Sequence, residues 1–409
     1  MATQRHDARY QSRGVSAGKE DVHAAIASHD GGLFPGAFCK IVADDLSGDK
    51  DHCLVMHADG AGTKASLAYL ASREHVPDNS GNPTLALLWM GIAQDSLVMN
   101  LDDCACVGTV GPYLVSNTIG RNAKLIPGEI IAALVNGYQR MCDQLAGFGV
   151  TVKMTGGETA DVGDLVRTII VDSTVVARLR RDRVIDAGRM APGDVIVGFS
   201  STGQAAWETQ PNSGIGANGL TSARHDLLGG GYRDKYPETY APEVGKDLIY
   251  CGKYALTDVL PGTTMTAGAA LLSPTRTYLP LIKRLFEVVP HSDLHGLIHC
   301  SGGGQSKIVK FGGLKRKKGN RYVKDNLFQV PPLFAAIQEA TGLSWAEMHS
   351  VYNMGHRLEA IVPPDSVNHC LKAARECKID AQVVGRVESR DEPGNEVVIR
   401  TKMGEFKYR

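Results

Sequence analysis

Asp186-Ala-Gly-Arg-Met-Ala-Pro-Gly-Asp-Val-Ile-Val-Gly-Phe-Ser200 divides the chain. Gly188, Pro192 and Gly193 break up Asp186–Asp194, and the apolar run Val195–Ser200 then starts a new strand. The expected organisation is an arm over 1–50, a first domain over 51–186 and a second over 187–409.

Upstream of the break, Pro127–Leu145 is the clearest helix. Ile130, Ile131, Leu134, Val135, Tyr138, Met141 and Leu145 recur at helical spacing, with Pro127 near the start and Gly147 at the end. Leu85–Asn100 also reads as a helix. Cys53–His57, Cys104–Val107, Pro112–Thr118, Val150–Met154 and Thr168–Ala177 read as strands. Downstream, helices are expected near Tyr278–Val288 and Ser366–Glu376, with strands at Leu297–His299, Ala381–Val387 and Glu396–Thr401. Strands and helices mix without a βαβ rhythm, which predicts two α+β domains rather than one doubly wound sheet. The arm reads as extended, with a short helix near Asp21–Ala27. Gln204–Asn212 and the basic stretch Phe311–Asn326 read as insertions, the latter as a solvated loop.

Composition excludes some classes. Lys plus Arg and Asp plus Glu both number 44, so no bulk charge recruits nucleic acid or an anionic membrane. No run reaches ~18 apolar residues, so no membrane span is expected. The polar N-terminus has no apolar core of a signal peptide. Nine scattered cysteines without a C-x-x-C pair fit reduced thiols in a cytoplasmic protein.

Four strings carry candidate chemistry. Asp59-Gly60-Ala61-Gly62-Thr63-Lys64 follows a predicted strand. Its glycines let backbone N–H groups approach a phosphate, Lys64 adds charge and Asp59 a Mg²⁺ ligand. A tight hairpin turn fits the same residues. Asp102-Asp103 precedes the expected strand at Cys104, where alternation lets only one carboxylate face a site. Gly156-Gly157-Glu158-Thr159-Ala160 again joins glycines to a carboxylate after a strand. His299-Cys-Ser-Gly302-Gly303-Gly304 sets an imidazole beside three glycines.

In order, these strings resemble the aminoimidazole ribonucleotide synthetase (phosphoribosylformylglycinamidine cyclo-ligase) family. That family's Y-x-x-x-G-V is similar to Tyr10–Val15, its D-G-V-G-T-K to Asp59–Lys64, its N-D to Asp102-Asp103 and its G-G-E-T-A to Gly156–Ala160. Its S-S-G-x-H-S-N-G is loosely similar to Asn212–Gly219, P-T-R-x-Y to Pro274–Tyr278, H-x-T-G-G-G to His299–Gly304 and F-N-M-G to Tyr352–Gly355. The histidine of the family's S-S-G-x-H-S-N-G falls on Gly216.

The resemblance implies an N-terminal ATP-binding domain of sheet plus helices and a C-terminal α/β sandwich. It implies a homodimer whose N-terminal sheets pair into a barrel. It also implies ATP and Mg²⁺ as cofactors and a small ribonucleotide as substrate, with neither nucleic acid nor membrane as partner. The implied reaction phosphorylates a formamide oxygen of formylglycinamidine ribonucleotide and closes the ring to aminoimidazole ribonucleotide. On this reading Asp59, Asp103 and Glu158 hold metal. Gly60, Gly62, Thr63, Lys64, Gly156 and Gly157 hold the nucleotide. His299, with Asp103 and Lys64, is catalytic, and Asn218 and Gly302–Gly304 line the substrate. A diverged enzyme phosphorylating another amide, a carboxylate or a selenium substrate is the alternative.

Overall fold

The computed structural model describes residues 7–17, 19–26, 28–76, 85–313 and 318–409. Two short helices, α1 (Ala8–Gln11) and α2 (Glu20–Ile26), lie in the arm. A first sheet contains β1 (Ile41–Asp44), β2 (Asp49–Gly60), β3 (Tyr113–Arg121), β4 (Val152–Asp161) and β5 (Ile169–Arg180), in the order β1-β2-β5-β3-β4. Its pairs are antiparallel except β3–β4. Helices α3 (Lys64–Arg73), α4 (Leu85–Ala105) and α5 (Gly128–Gly147) accompany this sheet, and α4 packs on β2, β5 and α5.

Period-two burial organises the sheet. Tyr113, Val115 and Asn117 of β3 point inward, while Leu114, Ser116 and Thr118 are exposed. α4 lacks a strong amphipathic pattern because it runs through the core: Trp89, Ile92, Leu97, Val98, Leu101 and Cys104 are all buried.

The second sheet contains β6 (Val195–Ser200), β7 (Gly296–His299), β8 (Gly319–Lys324), β9 (His356–Val362), β10 (Ala381–Arg390), β11 (Glu396–Thr401) and β12 (Gly404–Tyr408). Its order is β12-β11-β8-β10-β6-β9-β7, parallel only between β11 and β8. Helices α6 (Leu220–Leu227), α7 (Gly231–Lys235), α8 (Ala267–Leu272), α9 (Leu279–Val288), α10 (Pro332–Thr341), α11 (Trp345–Val351) and α12 (Val367–Glu376) lie in this half. α9 packs on both α12 and α4, which joins the two halves.

Three expectations are corrected. Cys104–Val107 is not a strand, because α4 continues to Ala105. Four apolar residues cannot distinguish a strand from the end of a buried helix. Gly156–Ala160 lies inside β4 rather than after it. Thr155 and Gly156 together oppose Ser116 in a bulge, with Gly156 at φ +119°. The expected loop Phe311–Asn326 contains β8, an internal strand. Lys324 is fully buried with its ammonium on Glu359, so its charge did not mark solvent. Lys315, Arg316 and Lys317 lie outside the described residues.

Candidate active site

The carboxyl end of α4 delivers Asn100, Asp102 and Asp103. Two carboxylates here oppose the helix dipole, so they need partners. Asp102 is buried. It accepts from Thr277 Oγ1 at 2.8 Å and the Tyr278 N–H at 2.9 Å. Burial pushes its carboxyl up to about 7, even with the Arg357 guanidinium pulling the other way. Asp102 therefore belongs to the junction between the halves.

Asp103 faces the other way. Its Oδ1 accepts from His299 Nδ1 at 2.5 Å, and its Oδ2 lies 3.5 Å from His57 Nε2. Burial opposes its charge, but Lys307, His299 and His57 together outweigh this and hold the carboxyl near 2. His57 Nδ1 lies 2.8 Å from Asn100 Oδ1, and Asn100 Nδ2 donates to the Asp59 carbonyl at 3.1 Å.

His299 ends β7 and is fully buried. A carboxylate only accepts, so the Asp103 contact places the proton on Nδ1. Nε2 has no partner among the described residues. Burial, aided by Arg357 and Lys307, lowers the imidazole to about 4 against the pull of Asp103. At neutral pH the ring is uncharged and presents a bare lone pair. It is a proton acceptor first, and a donor only after accepting one.

Asp59, at the end of β2, is exposed and takes the Gly60 N–H on Oδ1 at 2.7 Å. Crowding by protein and the charge of Asp103 both raise its carboxyl. Gly62, at φ +57°, has open space where a side chain would project, as close phosphate approach requires. Gly60 is glycine for another reason: a Cβ there would lie 1.7 Å from Asp172 Oδ1. Thr63 Oγ1 pairs with Thr221 Oγ1 at 2.8 Å.

Lys64 is not where a phosphate ligand is expected. It is fully buried, with Nζ 2.9 Å from Asp95 Oδ1, 2.5 Å from the Ser273 carbonyl and 3.4 Å from the Gly216 carbonyl. All three ammonium donors are spent on protein, and the residue ties α3 to the second half.

Glu158 does not join Asp59 and Asp103 within the chain. The register runs from Asp59 on β2 through Ser173 and Asn117 to Gly157 on β4. Three strand spacings separate them, about 14 Å at ~4.8 Å each. Glu158 is exposed on the edge strand. Among the described residues no group of three or more His, Cys, Asp or Glu is placed to hold a metal. Asp59 and Asp103 still fit Mg²⁺, which takes one or two carboxylates and fills its shell with phosphate and water. Burial first, and the Asp103 charge after it, raise the Asp59 carboxyl, and a nearby cation would offset both.

On the substrate side, a Cβ at Gly302 would lie 3.8 Å from Asn218 Nδ2, and Asn218 Oδ1 is buried without a partner among the described residues. Gly303 adopts φ +94° and caps the turn that follows. Gly304 serves packing, since a Cβ there would meet the Tyr352 and His349 carbonyls at 2.5 and 2.7 Å. The Gln204–Asn212 insertion sends Glu208 inward to Arg276 at 2.5 Å, away from His299.

Residues 37–179 match the AIR synthase related protein, N-terminal domain, and residues 191–397 match its C-terminal domain. The chain belongs to the AIR synthase related family. Two curated members are named phosphoribosylformylglycinamidine cyclo-ligase. The one from Methanothermobacter thermautotrophicus is 30% identical over 357 residues, 87% of this chain and 85% of its own. The one from Symbiobacterium thermophilum is 28% identical over 371 residues, 89% and 88% respectively. Among solved folds, the HypE–HypF complex aligns with TM-score 0.54 at 15% identity, over 94% of this chain and 97% of that one. T. maritima PurL with ADP aligns with TM-score 0.50 at 14% identity over 91% of this chain but 45% of its own, so this chain spans about half its length. These likenesses show the AIR synthase related fold.

His57, Asn100, Lys307 and Arg357 were not singled out from the sequence. For His57 a signal existed: it lies two residues before Asp59, so strand alternation puts both on one face. Asn100 and Asp103 are likewise one helical turn apart. For Lys307 and Arg357 the sequence carried no comparable mark.

Proposed function

We propose that this ligase-class enzyme uses ATP to close formylglycinamidine ribonucleotide to aminoimidazole ribonucleotide, releasing ADP and phosphate. The observation that carries the reading is the neutral His299, held through Nδ1 by Asp103 at the strand end that leads into the glycines beside Asn218, its Nε2 without a partner among the described residues.

A formamide oxygen leaves poorly until it is phosphorylated. Transfer of the γ-phosphoryl depends on positioning and charge neutralisation. When bound, Mg²⁺ would supply that neutralisation beside Asp59 and Asp103. The amidine nitrogen must lose a proton as it attacks the activated carbon, and His299 Nε2 is the acceptor. Asp103 then stabilises the imidazolium through Nδ1–H. Asn218 and Gly302 orient the substrate so that the closing atoms are already near each other.

We also propose a homodimer formed through the outer face of the first sheet, where Met56, Leu114, Ile170 and Val42 are exposed.

The test is a coupled assay for ADP release that depends on formylglycinamidine ribonucleotide, with the aminoimidazole product captured by diazotisation. ADP release without the aromatic amine would transfer the reading to a different phosphoryl acceptor.

A further inference from the structure

The site needs a cation for the phosphoryl group, and Lys64 is engaged elsewhere. Lys307 lies on the 3₁₀ stretch Gly304–Lys310, which begins at the last of the three glycines. That turn carries its side chain back over the motif. Nζ donates to Ser301 Oγ at 2.7 Å and sits 4.7 Å above the centre of the Phe38 ring. Phe38 is stacked on Phe311, with centroids 5.0 Å apart and planes 16° from parallel. The aromatic pair gives the ammonium a firm seat without neutralising it.

The partners of the two lysines separate their roles. Lys64 is fully buried against a carboxylate and two carbonyls. Lys307 is only partly buried, and no carboxylate lies within ion-pair distance of it among the described residues. Among the described residues its ammonium meets one hydroxyl and one ring face, so donors remain for an anion. Its field reaches the reacting groups, since it helps depress both Asp103 and His299.

We propose that Lys307 is a catalytic residue that binds the phosphoryl group in flight, with Ser301 steering its ammonium. This rests on the cyclisation reading above. In the first step the bond between the γ-phosphorus and the ADP oxygen breaks, a bond from that phosphorus to the formamide oxygen forms, and the formamide nitrogen gives up its proton to solvent as its C=N bond forms. In the second, the amidine nitrogen bonds to the formyl carbon, the carbon–oxygen bond breaks, phosphate leaves and the nitrogen's proton passes to His299 Nε2. The phosphoryl oxygens carry negative charge through both steps, and Lys307 faces the groups where that charge gathers.

The experiment compares wild type, Lys307→Met, Lys307→Arg and Ser301→Ala, using ATP, ADP and inorganic phosphate as calorimetric probes alongside steady-state rates. Lys307→Met should lower kcat ~10²-fold or more, the scale for a lost electrostatic stabiliser. It should also erase any preference for ATP over ADP and abolish competition by inorganic phosphate, while ADP affinity stays within about twofold. Lys307→Arg should restore part of both, and Ser301→Ala should fall between. Thermal melts of Lys307→Met and Lys307→Arg separate folding loss from chemistry. Unchanged phosphate competition and an unchanged ATP-to-ADP preference in folded Lys307→Met overturn the proposal, whatever the wild-type turnover. If wild type binds ATP but does not cyclise the ribonucleotide, the cyclisation reading fails, and the binding arm still decides whether Lys307 holds phosphate.

Discussion

His299 and Gly216 are the residues at which this chain's chemistry is most exposed to test. The family pattern has a histidine at the position of Gly216, which raises the question of which imidazole acts. Gly216 adopts φ +67°, and a Cβ there would lie 2.3 Å from Arg357 Nη1. A histidine would take on left-handed backbone strain of about 1–3 kcal/mol and displace the guanidinium. His299 already has an orienting carboxylate and a nitrogen without a partner among the described residues. His299→Ala is therefore expected to lower kcat ~10²–10⁴-fold, as for loss of a positioned acid or base. Gly216→His is expected to lower both kcat and the melting temperature. Paired kcat measurements on the ribonucleotide check this. Normal turnover in His299→Ala, with a tenfold gain in Gly216→His, would move the functional imidazole to position 216. The sequence marked His299 and Asp103 separately. It could not show their contact, because they are 196 residues apart and Asp103 stands on a helix where its neighbours read as a strand.

Among the elements, α11, β8 and β9 enclose charge that the mechanism does not use. His349 on α11 is buried, and both its ring nitrogens lack partners among the described residues. Burial, with Lys324 and His356 nearby, lowers its imidazole to about 3. In the unfolded chain it titrates near ~6.5. Below that pH the unfolded state takes up a proton that the folded state refuses, so stability falls as pH drops from about 6.5 towards about 3. Melting temperatures at pH 7.5 and 5.0 should show this loss. His349→Phe, whose ring can still pack near Phe406, should flatten the slope, and an unchanged slope would reject the assignment. The same region shows why some elements were legible and others were not. Glu396–Thr401 is a strand to the residue, and the helices at 127–145 and 278–288 were readable from apolar spacing. β8 was hidden because Lys324 reads as solvent-facing charge, whereas Glu359 takes it in; Arg321, paired with Glu396, stays largely at the surface. α3 was hidden behind the glycine turn at 60–62. The Pro274–Tyr278 motif was legible as a family string but not as a strap. Thr275 binds Asp95 and Thr277 binds Asp102, so one pentapeptide joins the two halves, while Arg276 between them holds Glu208 within the second half.

At the scale of the molecule, that strap and the bonds from Lys64 Nζ to the Ser273 and Gly216 carbonyls position the second half against the first, while Met56, Leu114, Ile170 and Val42 on the outer face of the first sheet stay exposed. Met56, Val176 and Leu114 share one row across β2, β5 and β3, and Met56 and Leu114 are 65% and 50% exposed. An apolar row on a sheet face is what a second copy would cover. Glu158 adds a separate reason. It stands about 14 Å from Asp59, too far to share a metal ion within one subunit, yet it lies exposed on the edge strand β4 where a second subunit can reach. The expected state is therefore a dimer at micromolar concentration, measured by sedimentation velocity. Met56→Lys with Leu114→Lys should shift it to monomer, because two charges in the centre of an apolar contact are left without partners. If Glu158 acts only across that contact, the monomeric variant should also lose ATP use by ~10²-fold or more, as should Glu158→Gln in the intact dimer. A wild-type monomer would reject the dimer, and a monomeric double variant with full turnover would show that one subunit's Asp59, Asp103 and His299 suffice.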